Sequence, residues 1–240
     1  MDISKWTKLG RKALKLKYCG AVIVAAGNAS RMEGIDKVMA PLGGEPMIVR
    51  TVRTFQQCDA IREIVVVTRP DLITAVMGLC KSFDKVTAVV AGGKDRPESV
   101  SLGLNALSSR VKLAAIQDGA RPLVTWQVID RVVRAANTYG AAAPAVPVKD
   151  TVKEVAGGLV VTTPDRSRLQ AVQTPQVFDF DLLRGALKKA KQEGTAITDD
   201  CSAVELLGAK VKMVEGDERN IKVTTPLDLK IAELFLEEME

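Results

Sequence analysis

The chain has 240 residues, a formal charge of +5 and no histidine. Ser-His-Asp and Cys-His nucleophile systems and histidine-based metal sites are therefore excluded, leaving Lys, Arg, Asp, Thr, backbone amides and a hard metal ion for chemistry. A chain of this size buries about 70–75% of its unfolded surface and needs no disulfide or metal staple. The four scattered cysteines, with no CxxC pair, read as free thiols of a reducing, cytoplasmic compartment.

The excess charge is local. Residues 1–17 hold six cations (Lys5, Lys8, Arg11, Lys12, Lys15, Lys17) against Asp2, leaving 28 charges of each sign in the other 223 residues. The basic balance belongs to this tail and does not indicate a nucleic-acid-binding domain. Ile3, Trp6, Leu9 and Ala13 recur near helical spacing. Two readings stand: a short amphipathic helix for a partner or anionic surface, or a frayed terminal extension. A signal peptide is rejected, because cleavage among residues 26–29 would part the first loop from its strand. No apolar run approaches the ~20 residues needed to span a bilayer.

In chain order, residues 21–26 form an unbroken apolar run, the mark of a strand buried on both faces. The small residues Gly27, Asn28, Ala29 and Ser30 follow, then Arg31 and Lys37. Such a turn serves either as a backbone nest for phosphate or as an ordinary strand-to-helix connection with two solvated charges. It is neither a Walker A loop nor a three-glycine dinucleotide fingerprint.

Helix and strand patterns then alternate. Helices are expected over 46–57, 71–82, 97–108 and from the Thr125 cap to 138. Strands are expected over 64–68, 86–91, 113–117 and 141–146. This alternation predicts an α/β fold, a Rossmann-like, mostly parallel sheet flanked by helices. Ligands bind such sheets beyond the carboxyl ends of the strands, so the loops at Gly27, Gly92 and Asp118 are expected to share one crevice. Two β-branched runs around Gly157-Gly158 predict a protruding β-hairpin arm at about 148–170. A lone hairpin is marginal in water, which leaves a homodimer arm or a flap folded on its own domain. Helices over 179–192, from Thr198-Asp199-Asp200 and from Pro226, with strands over 210–214 and 221–224, complete the pattern.

Six segments occur in one order: AAGNASRM (25–32) with Lys37, GGKDRPESV (92–100), DGARP (118–122), PVKDTVK (147–153), QTPQVF (173–178) and TDDCSAVE (198–205). NIKVTTPLDL (220–229) follows. Each is weak alone; together they resemble the 2-C-methyl-D-erythritol 4-phosphate cytidylyltransferases of the non-mevalonate isoprenoid pathway, over about residues 19–238. The resemblance implies a Rossmann-like nucleotidyltransferase domain over 18–240 behind the basic extension, dimeric through its β-arm. It implies transfer of CMP from CTP to the sugar-alcohol phosphate with release of pyrophosphate, aided by Mg²⁺. It also implies roles. Arg31, Lys37 and Lys222 match a cationic clamp around the transition state. Ala25, Ala26 and Gly27 match the nucleotide cradle, and Gly93 and Ser99 the reading of the cytosine edge. Asp118 matches an acidic residue of the nucleotide and metal site, with Gly119 beside the ribose. Arg121 and Thr174 match methylerythritol phosphate contacts, and Thr151 and Arg166 contacts made from the arm to a neighbouring subunit's site.

The chain departs from the family pattern at Ala29 and Ser30, where a second glycine and another cation are common, at Lys94, where an acid is frequent, and at Gly119, where alanine is usual. Two other functions bear weighing. A ribitol 5-phosphate cytidylyltransferase shares the nucleotide loop and would turn over ribitol 5-phosphate. A non-catalytic nucleotide-binding scaffold would bind CTP and release no pyrophosphate.

Overall fold

The computed structural model describes residues 15–27 and 38–239. The expectations for tail residues 1–14, for Arg31 and for Lys37 lie outside the described residues. In chain order the elements are β1 (Cys19–Ala25), β2 (Pro41–Leu42), β3 (Glu45–Pro46), α1 (Met47–Gln57), β4 (Ile61–Thr68), α2 (Ile73–Cys80), β5 (Val86–Ala91), α3 (Arg96–Ala106), β6 (Leu113–Asp118), α4 (Trp126–Tyr139) and β7 (Ala141–Pro147). Then come β8 (Glu154–Ala156), β9 (Leu159–Thr162), β10 (Gln170–Val172), β11 (Gln176–Asp179), α5 (Phe180–Glu193), α6 (Asp200–Glu205), β12 (Lys212–Glu215) and α7 (Pro226–Glu237).

The main sheet runs β5–β4–β1–β6–β11–β7, with β10 and β12 also paired to β7. β5, β4, β1 and β6 are parallel neighbours, and β12 is parallel to β7. β11 enters antiparallel between β6 and β7. The apolar run of β1 is explained by its two covered faces. Ala21, Ile23 and Ala25 pack in the cluster that holds Val52 and Phe55 of α1, Val76 of α2 and Val132 of α4. Val22 packs in the cluster that holds Val100 and Leu104 of α3 and Leu183 of α5. Period-2 alternation therefore persists, but both phases are apolar.

Local chemistry sets the element ends. The Asp95 side chain accepts from the Glu98 N–H and caps α3, which starts one residue before the expected Pro97. Thr125 caps α4 as its sequence predicts, and Gly140 closes it in the left-handed region. α7 begins at Pro226 with a Thr225–Asp228 capping box.

Three expectations need correction. Residues 221–224 do not form a strand: this segment crosses beyond the strand ends, and Val223 donates one backbone hydrogen bond, to the Ala120 carbonyl at 2.9 Å. Its apolar character serves a small separate cluster instead, with Ala40, Leu42, Met47, Leu123 and, from α7, Ala232 and Leu236. The β10 and β11 strands are missing from the sequence reading, because each is short and Pro175 interrupts the run between them. The helix expected over 71–82 is shorter, a 3-10 turn followed by α2.

The Gly-Gly hairpin forms as expected. Gly157 (φ 56°) and Gly158 (φ 81°) hold the two positive dihedrals of a type I′ turn, which side chains other than glycine rarely accept. Among the described residues, β8 and β9 pair only with each other.

Candidate active site

β1, β5 and β6 all end at one rim. The cavity there has a volume of about 400 Å³ and is lined by Ala25 at the end of β1 with Ala26 and Gly27 after it, by Gly93 to Arg96 after β5, by Asp118 at the end of β6 and by Lys222. The loops after β1 and β5 interlock: a Cβ on Gly92 would lie 2.3 Å from the Ala26 Cβ, so only glycine lets them meet. The Gly93 N–H donates to Ser99 Oγ at 3.0 Å, and Ser99 Oγ donates to the Asp95 carbonyl at 2.9 Å. Ser99 is thus fixed in the first turn of α3.

Asp118 is the electrostatic centre. Its carboxylate lies 2.8 Å from Lys222 Nζ, 3.5 Å from Arg96 Nε and 3.7 Å from Arg121 Nε. Burial alone would push this carboxyl up; the Arg96, Lys222 and Arg121 charges outweigh it and hold the group below the usual carboxylate range. Its backbone N–H donates to Thr174 Oγ1 at 3.1 Å, which ties the end of β6 to the segment between β10 and β11.

The Lys222 loop is anchored on both sides. Asn220, buried, donates through Nδ2 to the Thr174 carbonyl at 2.9 Å and to Gln173 Oε1 at 3.2 Å. Arg121 Nη1 donates to the Asn220 carbonyl at 2.6 Å. Val223 is buried on the other side. Lys222 therefore leaves a fixed backbone and reaches Asp118 across the cavity floor.

The residues singled out from sequence fall into groups. Ala25, Ala26, Gly27, Gly93, Ser99, Asp118 and Lys222 share the cavity. Arg121 and Thr174 touch Asp118 from behind. Gly119 is also behind the floor, its N–H donating to the Val24 carbonyl at 2.8 Å and its carbonyl accepting from Thr51 Oγ1 at 3.1 Å. Thr151 and Arg166 are exposed near the hairpin, and Arg166 Nη1 donates to the Lys149 carbonyl at 2.6 Å. Neither lines the cavity of its own chain.

Sequence reasoning missed Arg96, Asp200 and Asn220, although all three stand inside quoted motifs. Arg96 lines the cavity, and its Nη2 donates to Asp200 Oδ2 at 2.7 Å. Its charge at the start of a helix reads as a solvated face. Only the fold shows that it is turned inward onto two carboxylates.

A family profile described as IspD: 2-C-methyl-D-erythritol 4-phosphate cytidylyltransferase matches residues 19–238. The 2-C-methyl-D-erythritol 4-phosphate cytidylyltransferase of Geobacillus kaustophilus is 47% identical over 219 residues, covering 90% of this chain and 96% of its own. That of Symbiobacterium thermophilum is 46% identical over 219 residues, covering 90% and 92%. The crystal structure of 4-diphosphocytidyl-2C-methyl-D-erythritol synthase from Anaerococcus prevotii superposes with a TM-score of 0.86 at 30% identity, covering 94% of this chain and 98% of that one.

Proposed function

Because the chain belongs to the 2-C-methyl-D-erythritol 4-phosphate cytidylyltransferase family, we propose that the cavity at the strand ends is where it works and that Lys222 and Asp118 are the centre of its machinery. The enzyme transfers CMP from CTP to 2-C-methyl-D-erythritol 4-phosphate and releases pyrophosphate, a step of the non-mevalonate isoprenoid pathway. The observation that carries the assignment is the 2.8 Å contact between Lys222 and Asp118 on the floor of a cavity walled by two small-residue loops.

The phosphate oxygen of the sugar alcohol attacks the α-phosphorus of CTP. One P–O bond forms, and the bond to pyrophosphate breaks. A phosphate monoester is a competent nucleophile near neutral pH, so the absence of histidine costs nothing. The protein has to hold two polyanions in line and offset charge on the pentavalent phosphorus. Lys222, Arg31 and Lys37 form the clamp in this proposal, and Arg121 and Thr174, assigned to the second substrate, hold Asp118 from behind the cavity. The loop of Ala25, Ala26 and Gly27 cradles the triphosphate, while Gly93 and Ser99, already bonded to each other, meet the base with the lone pair that Ser99 Oγ has left, and Gly119 supports the ribose side from behind the floor.

Among the described residues, no three Asp, Glu or Cys side chains gather as a metal cage. Mg²⁺ takes one or two carboxylates with phosphate oxygens and waters, so a lone Asp118 fits an ion that arrives with the triphosphate. When bound it supplies further neutralisation of phosphate charge.

The hairpin supports a homodimer. Val155, Leu159, Val160 and Val161 are exposed on a two-stranded sheet that is marginal by itself. In this reading Thr151 and Arg166 complete the partner's site. The four buried free cysteines fit a reducing cytoplasm.

Pyrophosphate release from CTP, with methylerythritol phosphate and with ribitol 5-phosphate in parallel, tests the assignment. Turnover with the former is expected. Turnover with ribitol 5-phosphate alone, or CTP binding without any release, overturns it.

A further inference from the structure

Asp200 is the most buried carboxylate near the cavity, and the proposed chemistry leaves it without a task. Its relative exposure is 0%, its Oδ2 accepts from Arg96 Nη2 at 2.7 Å, and its Oδ1 has no hydrogen-bond partner among the described residues. It starts α6, whose Asp199 cap accepts from the Ser202 N–H at 2.8 Å. The start of α6 is pinned to β11 by Gln176: Oε1 accepts from the Cys201 N–H at 3.0 Å, and Nε2 donates to Asp199 Oδ2 at 2.8 Å. Asp200 is therefore a fixed carboxyl behind the cavity wall; burial pushes its pKa up, and the Arg96 guanidinium beside it pulls the other way.

A buried ion pair is weak grounds for stability, since apolar residues of similar volume serve a fold as well or better. Asp200 is also half-satisfied, which makes a purely structural role poorer still. Its one ion pair among the described residues, however, is to a guanidinium that lines the cavity. Arg96 stands between two carboxylates, with Asp200 at hydrogen-bonding distance and Asp118 at the longer 3.5 Å. A guanidinium freed from Asp200 would present its two-pronged face to Asp118, the strongest geometry open to it. Lys222 already occupies the other Asp118 oxygen at 2.8 Å, and a forked Arg96 would compete for it.

We infer that Asp200 is a positioning residue for nucleotide transfer, holding Arg96 against the wall so that Asp118 remains the partner of Lys222. It touches no substrate and acts through Arg96 alone. This inference rests on the cytidylyltransferase reading of the same cavity.

The test uses the full chain with Asp200→Asn, Asp200→Glu, Arg96→Gln and the Asp200→Asn/Arg96→Gln double variant. Steady-state pyrophosphate release gives kcat and KM for each substrate, and thermal unfolding is followed alongside. Asp200→Asn is expected to lower kcat/KM by on the order of 10- to 100-fold, the scale of a misplacement near 1 Å. Asp200→Glu, which keeps the charge, is expected to retain more activity. In the Arg96→Gln background, Asp200→Asn should change kcat/KM by less than about twofold, because the route of its action is gone. Wild-type kinetics in folded Asp200→Asn, even with a lowered Tm, would make the residue structural and overturn the inference. An equal loss in both backgrounds would overturn it as well. If the unmodified chain releases no pyrophosphate, it is the underlying functional reading that fails.

Discussion

On the crevice floor, Asp118 is 7% exposed and its carboxylate faces three cations; on the hairpin, Leu159 is 76% exposed and has Val155 and Val160 as exposed companions. The Asp118 cluster on the floor is built from the described residues of one chain. Its polar groups are tied to the ends of β6 and α3 and to the Lys222 loop by hydrogen bonds that cross the sequence. The arm is incomplete: it has a fixed turn and an apolar surface but no core. Charge inside the fold and apolar surface outside it both go against ordinary burial preferences. The first points to a polyanionic ligand and the second to another protein surface.

The comparison can be broken at the floor first. Lys222→Ala is expected to lower kcat by about 10²- to 10³-fold, the scale for losing one transition-state donor, with thermal stability nearly unchanged because the side chain is half-exposed. Near-normal turnover would remove Lys222 from the chemistry.

A smaller effect is expected from Asp118→Asn, which leaves Arg96, Arg121 and Lys222 repelling one another. The cost should be about 2 kcal/mol, below the ~3–5 of a fully buried pair because Lys222 and Arg96 reach solvent. The folded-state pKa of Asp118 lies below the unfolded value of about 3.9, so its contribution is present above that pH and lost as pH falls through the folded value. The stability gap between wild type and Asp118→Asn should therefore be flat near neutrality and close below about pH 4. A gap unchanged into strong acid would show that the carboxylate charge is not what matters.

The smallest effect on the fold belongs to the arm. Leu159→Lys with Val161→Lys should shift a dimer to monomer in sedimentation while altering monomer stability by less than about 0.5 kcal/mol. Activity should fall with the dimer if Thr151 and Arg166 serve the partner's site. A wild-type chain that sediments as a monomer at micromolar concentration would sink the reading.

Much of the architecture was legible because it depends on local signals. The apolar run of β1, the Thr125 cap, the Pro226 start and the Gly157-Gly158 turn each specify their own geometry. The antiparallel β11 was illegible because its place between β6 and β7 is set by the sheet, and four residues carry too little pattern. Residues 221–224 misled for the opposite reason: a β-branched pattern there reflects the burial of Val223, not pairing. Within the site, the cavity-lining loops followed from small residues after strand ends. The Arg96–Asp200 pair did not, since nothing local marks a charge at a helix start as inward-facing.

Val223 ties the reach of Lys222 to the last helix. That valine sits in a small oily pocket against Ala232 and Leu236, so α7 acts as a distant clamp on the lysine's root. Shortening the carboxyl terminus by a dozen residues, or attaching a fusion that pries α7 loose, would touch no substrate. If Lys222 serves as proposed, pyrophosphate release is nonetheless expected to fall towards that of Lys222→Ala.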